Sequence, residues 1–307
     1  MLLSVIICSH NPKHEFLNRT LQALKEQSLH DQSWELLLID NASNQPVSES
    51  FSLVWHPSGK IIREAKIGLT QARIRGIAEA RGDIIVFVDD DNCLKQNYLE
   101  LLVSTMDSIP LLGTLGAGKI LPEFEQEPTH TELPFLRSLA LRDEKRAHFS
   151  NDVNYHKALP FGAGLCIRRS IGLAYVSTCA ERPIAASLGR TGSLLLSAED
   201  IDLALHACRD GYLAGVLPEL ELIHLIPKAR LEHNYLTNLA AGHAASNYLL
   251  SKIWKFEVYP ENAFVKWGRY WKNRIQAKGL GKKILIAEYR AEKEARKTWK
   301  KLMLQTN

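Results

Sequence analysis

The sequence predicts an α/β protein built on a mostly parallel sheet flanked by helices, with a helical, basic extension at its C-terminal end. Three observations carry that expectation. Short apolar runs alternate with stretches of helical periodicity through residues 1–120. One of those runs, Ile84–Val88, is apolar throughout and drives into Asp89, Asp90 and Asp91, as a strand buried on both faces does when it ends at a ligand-binding edge. Charge is also unevenly shared. Residues 251–307 carry 15 Lys and Arg against 5 Asp and Glu, a balance of +10, which leaves −6 for residues 1–250 in a chain of net charge +4.

From the N-terminus, Ser4–Ile7 reads as a strand, and Phe16, Leu17, Leu21 and Leu24 recur at helical spacing over Phe16–Gln27. Trp34–Ile39 is a second strand, followed by Asp40 and Asn41. A weaker strand lies near Lys60–Arg63, a helix runs from about Thr70 to Arg81, and the Ile84–Val88 strand follows. Strands and helices alternating in this way close right-handed βαβ units, whose ligands bind beyond the carboxyl ends of the strands. The polar clusters Cys8–Asn11, Asp40–Asn41 and Asp89–Asp91 end three such strands and are expected to meet in one crevice. A helix is expected to begin near Leu94, capped by Asp91 or Asn92.

Residues 122–158, rich in Pro, Glu and His, read as an excursion over the active face with a short helix from Pro134 to Arg146. Pro160–Ile167 is a strand kinked at Gly162 and Gly164, where missing side chains admit a ligand or another backbone. Residues 180–198, with Gly189 and Gly192, suit a lid. A helical pattern starts at Glu199 and is stopped by Gly211, and the apolar stretch Val216–Ile223 leads to His224.

Composition excludes several classes. Hydrophobic residues make up 46% and charged residues 23%, ordinary for a globular protein of one large domain or two. No apolar stretch approaches the ~20 residues that span a bilayer, and Met1–Ile7 lacks the basic start of a signal peptide, so a cytoplasmic protein is expected. The five cysteines, at 8, 93, 166, 179 and 208, are scattered without a Cys-x-x-Cys pair and read as reduced thiols.

Three adjacent carboxylates repel one another and raise each other's pKa unless a cation or several donors neutralise them. A hard divalent ion, Mn²⁺ or Mg²⁺, is the natural partner of Asp89–Asp91, because it accepts carboxylate oxygens and leaves positions for water and nucleotide phosphates. The competing reading is an Asp-rich turn.

In order along the chain, Ser4–Asn11, Leu38–Ser43, Gly68–Gly76, Phe87–Asp91, Gly162–Gly164 and Glu199–Asp202 resemble the motifs of family 2 glycosyltransferases, over roughly residues 1–230. The resemblance implies the GT-A fold: a Rossmann-like, nucleotide-sugar-binding half at 1–120 and an acceptor and catalytic half at 121–235, with the basic helical region 236–307 outside it. It also implies roles. Cys8 and Ser9, with Asn11 in the same segment, line the nucleobase and ribose, and Asp40 hydrogen-bonds the base. Arg73 lies near the base and phosphates. Asp89 meets the ribose and the metal, Asp90 adjoins the donor, and Asp91 is the direct metal ligand. Asp200, beside Glu199, is the general base, and His224 a late ligand for metal or diphosphate. Each has a structural alternative: a turn for Asp40, a solvated helix face for Arg73, a helix cap for Asp200, an ordinary buried imidazole for His224. Ile74 departs from the family pattern, where Asn is frequent.

Taken together, these features imply an inverting, metal-dependent transfer of a sugar from a nucleotide diphosphate donor, UDP-linked, to a saccharide or lipid-linked acceptor in cell-surface polysaccharide synthesis. A sugar-phosphate nucleotidyltransferase uses a similar sheet, but needs a Gly-rich phosphate loop where this chain has His10-Asn11-Pro12. A catalytically silent glycan-binding protein on the same fold is the other alternative. Residues 236–307 hold four of the six tryptophans, at 254, 267, 271 and 299, interleaved with Lys and Arg. That mixture suits anionic headgroups at the inner face of the plasma membrane, and no nucleic-acid-binding fold accompanies it. The alternative is a charged tail packed on the catalytic domain or another subunit.

Overall fold

The computed structural model describes residues 3–182, 188–189, 196–255 and 263–305. Strands β1 (Leu3–Ser9), β2 (Trp34–Asn41), β3 (Gly59–Glu64) and β4 (Ile84–Asp89) lie parallel in the order β3-β2-β1-β4. Helices α1 (His14–Lys25) and α2 (Leu69–Glu79) cover opposite faces of this half. Leu36 and Leu38 of β2 pack on the α1 side with Leu17, Leu21 and Leu24, whereas Leu37 and Ile39 pack on the α2 side with Ala72 and Ile77. All eight residues of β2 are therefore buried, and its central run Leu36–Ile39 is apolar without alternation. Each such aliphatic side chain contributes about 1.5–3 kcal/mol by its burial.

The chain continues through β5 (Asn92–Leu94), α3 (Tyr98–Ser108), β6 (Leu112–Phe124), β7 (Arg142–Asp143), β8 (His148–Ser150), β9 (Cys166–Arg168), α4 (Arg169–Glu181), α5 (Glu199–Arg209) and β10 (Leu213–Ile226). Strand β9 runs antiparallel between β4 and β6, and β10 lies parallel to β6. Six of the ten described strands, β1 to β4, β6 and β10, thus share one direction, as the expected mostly parallel sheet requires. Helices α6 (His233–Ile253), α7 (Ala263–Gln276) and α8 (Gly279–Gln305) complete the described chain.

Four local expectations are corrected. The helix expected near Leu94 begins at Tyr98, because Asn92–Leu94 pairs instead with Leu222–His224 of β10. The helix expected over Pro134–Arg146 is a 3₁₀ segment, Leu133–Leu139, ended by Ala140 in the left-handed region at φ 59°, after which Arg142 and Asp143 pair with β6. Of the expected strand Pro160–Ile167, only Cys166 onward is extended in the sheet, and Gly164 turns at φ 71°. The boundary expected at 235 falls inside α6, whose Leu236 and Leu239 share one cluster with Leu139 and Ile226 before it and Leu280 and Ile284 of α8 after it. Most of the suggested lid, residues 183–187 and 190–195, lies outside the described residues. All five cysteines are free.

Candidate active site

The carboxyl ends of β1, β2 and β4 open onto a cavity of ≈ 390 Å³. Cys8 and Ser9 come from β1, Asn41 from β2, Asp89 from β4, and Asp90 and Asp91 from the turn after it. Arg73 of α2, Gly162, Glu199 and Asp200 of α5, His224 of β10 and Arg230 complete the polar wall. The sheet registers explain the convergence, since Cys8 lies beside Asp89 and Ser9 beside Asp40.

Two of the expected donor contacts do not reach this cavity. Asp40 is buried and committed to its own turn: Ser43 N donates to Oδ1 at 3.0 Å, Val47 N to Oδ2 at 3.2 Å and Arg63 Nη1 to Oδ2 at 2.8 Å. Burial opposes its ionisation, but these hydrogen bonds and the Arg63 charge outweigh it and hold the carboxyl below its ordinary range. The turn alternative for Asp40 is the one the geometry supports. Asn41 lines the wall in its place, with its carboxamide accepting from Gly68 N at 2.8 Å and donating to Lys66 O at 2.6 Å. It thereby fixes a rim where Ile67 stands 51% exposed, apolar surface suited to a nucleobase face. Asn11, at φ 49°, is likewise a clamp: its N–H donates to Ser43 Oγ and its Oδ1 accepts from Asn44 N.

Arg73 is not a solvated helix residue. Its Nη1 donates to Glu199 Oε1 at 2.6 Å, its Nη2 lies 3.6 Å from Asp89 Oδ1, and its guanidinium stands 5.1 Å from the Phe87 ring centroid. The close approach needs Gly162, where a Cβ would sit 2.6 Å from Arg73 Nη2. Burial weighs against the charge on Arg73, but Glu199 and Asp89 outweigh it and raise its pKa. For Glu199 burial wins over the Arg73 charge, so its pKa is pushed up. Burial likewise pushes the Cys8 thiol far above its ordinary value, which makes Cys8 a lining residue and no nucleophile.

Asp200 faces the same cavity from the first turn of α5. Its Oδ2 accepts from Gly162 N at 2.7 Å and its Oδ1 from Ile201 N at 2.9 Å. Ala198 occupies the cap position and makes no side-chain cap bond. Each Asp200 oxygen keeps a second lone pair, so the carboxylate is oriented without being saturated.

On the opposite wall Ser9 Oγ donates to Asp90 Oδ2 at 2.5 Å. Burial and the neighbouring Asp91 charge push Asp90 up to about 7. Asp91 is buried, with Oδ2 at 2.8 Å from Arg230 Nη2 and 3.5 Å from His224 Nε2. Arg230 Nη1 also lies 2.8 Å from His224 Nε2. A guanidinium carries only donors, so both Asp91 Oδ2 and His224 Nε2 act as acceptors towards one cation. Among the described residues no trio of His, Cys, Asp and Glu converges to cage an ion. Asp91 and His224 are the two side chains of this wall that could hold a divalent ion, with Arg230 now standing against both. The pairing of Arg230 with Asp91 joins residues far apart in the sequence and needed the fold.

The profile of the family described as "Glycosyl transferase family 2" matches residues 4–166. Over 113 residues the chain is 31% identical to polypeptide N-acetylgalactosaminyltransferase 5 of Caenorhabditis elegans, covering 35% of this chain and 18% of that protein. Over 116 residues it is 31% identical to glycosyltransferase AglE of Haloferax volcanii, covering 36% and 38%. The matched stretches thus span well under half of these relatives' lengths. Among solved structures, S. aureus TarS 1–349 in complex with UDP-GlcNAc superposes with a TM-score of 0.54 at 14% identity, covering 97% of this chain and 92% of that one. That likeness establishes the shared fold.

Proposed function

This chain belongs to glycosyl transferase family 2, and from that premise we propose that it moves a sugar from a UDP-linked donor to a hydroxyl of a saccharide or lipid-linked acceptor in cell-surface polysaccharide synthesis, with inversion at the anomeric carbon. The observation that carries this reading is the meeting of Asp89–Asp91 with Arg73, Glu199 and Asp200 around one cavity at the strand ends. The UDP and UDP-GlcNAc complexes of TarS, on the same fold, support a uridine donor.

The base and ribose enter between Ser9, Asn41 and Ile67, and the diphosphate extends towards Asp91 and Arg230. A divalent ion held by Asp91 and His224, with Asp89 nearby, would supply Lewis acidity to the departing diphosphate. The acceptor oxygen forms its bond to the anomeric carbon as the bond to the diphosphate breaks and its electron pair leaves with the phosphate. Asp200 takes the hydroxyl proton on the face opposite the leaving group. The Gly162 amide orients that carboxylate, and the Arg73 pair with Glu199 holds the start of α5 against the donor half.

A panel of nucleotide sugars with Mn²⁺, screened by thermal shift, tests the donor site. Selective binding raises the apparent stability in proportion to RT ln(1 + [L]/Kd). A UDP-sugar is expected to give the largest shift, and an equal, flat response to every nucleotide would contradict the proposal.

A further inference from the structure

The outer face of α8 is a rigid row of cations. Over its 27 residues the helix is about 40 Å long. Lys282, Lys283, Arg290, Lys293, Lys297 and Lys301 are all exposed, and at 3.6 residues per turn they fall within a sector about 100° wide. The opposite sector carries Leu280, Ile284 and Ala295, exposed by 3%, 5% and 6%. Leu280 and Ile284 pack with Leu139 and Leu239, which themselves line the active-site cavity. The cation row is therefore backed by the wall of the crevice.

The flank of this row is apolar and aromatic. Ile275, near the end of α7, is 77% exposed, and Tyr289 of α8, 41% exposed, stacks on Tyr270 of α7 with ring centroids 4.1 Å apart. A duplex nucleic acid would use the cations alone. A bilayer interface uses both, with basic side chains on headgroup phosphates and aliphatic and aromatic groups at the acyl boundary. None of the described helices is long and apolar enough to cross a membrane, so the contact lies along the surface.

We infer that α7 and α8 form a docking face for an anionic lipid bilayer, which holds the crevice at the membrane surface and selects a lipid-linked acceptor over a free saccharide. The acceptor part rests on the proposed transferase reading; the docking part does not.

The test is co-sedimentation of the full chain, without nucleotide, with vesicles of phosphatidylcholine alone or mixed with phosphatidylglycerol. The expected result is binding to the anionic vesicles at least about tenfold stronger than to neutral ones, and lost in high salt. Arg290→Glu with Lys293→Glu and Lys297→Glu should abolish that preference while leaving the circular dichroism spectrum and nucleotide binding unchanged. Ile275→Glu should weaken binding to a smaller degree. Equal binding to both vesicles, retention of the anionic preference by the triple variant, or capture by duplex DNA in preference to vesicles would overturn the inference. Asp200→Asn separates the two readings: vesicle binding kept in a variant that still transfers sugar would sink the catalytic assignment alone.

Discussion

Arg73 Nη1 donates to Glu199 Oε1 at 2.6 Å, and each of these side chains is only 5% exposed. The pair spans 126 residues of sequence and joins α2 of the donor half to the first residue of α5. Removing one partner of a buried pair strands the other charge. Arg73→Met is therefore expected to cost about 3–5 kcal/mol in urea unfolding. Arg73→Met combined with Glu199→Gln should recover part of that loss, because the buried Glu199 carboxylate is no longer left without its cation. Neither variant should regain sugar transfer, since α5 loses its tie to the donor side.

Asp90 stores instability at the site. Its carboxyl is pushed from 3.8 to about 7 by burial and by Asp91. The folded chain then holds a proton that the unfolded chain has released, so stability falls as pH rises from about 4 to about 7 and stays low above that. Asp90→Asn imitates the protonated form. It should stabilise the nucleotide-free protein by roughly 1–3 kcal/mol at pH 8 and by much less at pH 5, measured by thermal melting at the two values. A gain that is the same at both would contradict the assigned shift.

Arg230 fills the place between Asp91 Oδ2 and His224 Nε2 that a divalent ion would need. Arg230→Met should let Mn²⁺ bind in the absence of nucleotide about tenfold more tightly, as read by isothermal titration, because an opposing cation is removed from a carboxylate site. Asp91→Ala should remove that binding. If Arg230→Met leaves the Mn²⁺ affinity unchanged, the guanidinium does not guard the site.

Trp254, at the end of α6, reaches back to α5. Its Nε1 donates to Asp202 Oδ1 at 2.6 Å, and Asp202, fully buried, stands one residue beyond Ile201 and two beyond Asp200. Trp254→Phe should cost about 1–3 kcal/mol by leaving that carboxylate short of a donor. Because the donor pocket lies on other elements, kcat should fall while the KM for the nucleotide sugar holds. A rise in KM with kcat unchanged would place the effect elsewhere.

The strands and helices of the first half were legible because burial on both faces writes uninterrupted apolar runs, and the family motifs at their ends brought Ser9, Arg73, Asp89–Asp91, Glu199 and Asp200 to one cavity as expected. What the sequence did not reveal depended on partners distant in the chain. Asp40 and Asn41 are adjacent and polar, and only the position of Arg63 on β3 decides that the first is consumed by its turn while the second lines the wall. The short strand Arg142–Asp143 follows from its pairing with Lys119 and Ile120 of β6, and Arg142 is held there by Phe161, 3.9 Å away, and by donating to Leu159 O. No local periodicity records that. The place of α8 behind the crevice rests on Leu280 and Ile284, two apolar residues in a segment otherwise dominated by charge.

The role of Asp200 is tested most directly by comparing UDP release and donor binding in the wild type and in Asp200→Asn. The variant should bind the preferred UDP-sugar with unchanged affinity and release UDP to acceptor about 10²–10⁴-fold more slowly, the range that a lost general base accounts for. Turnover at the wild-type rate with the donor still bound would contradict it.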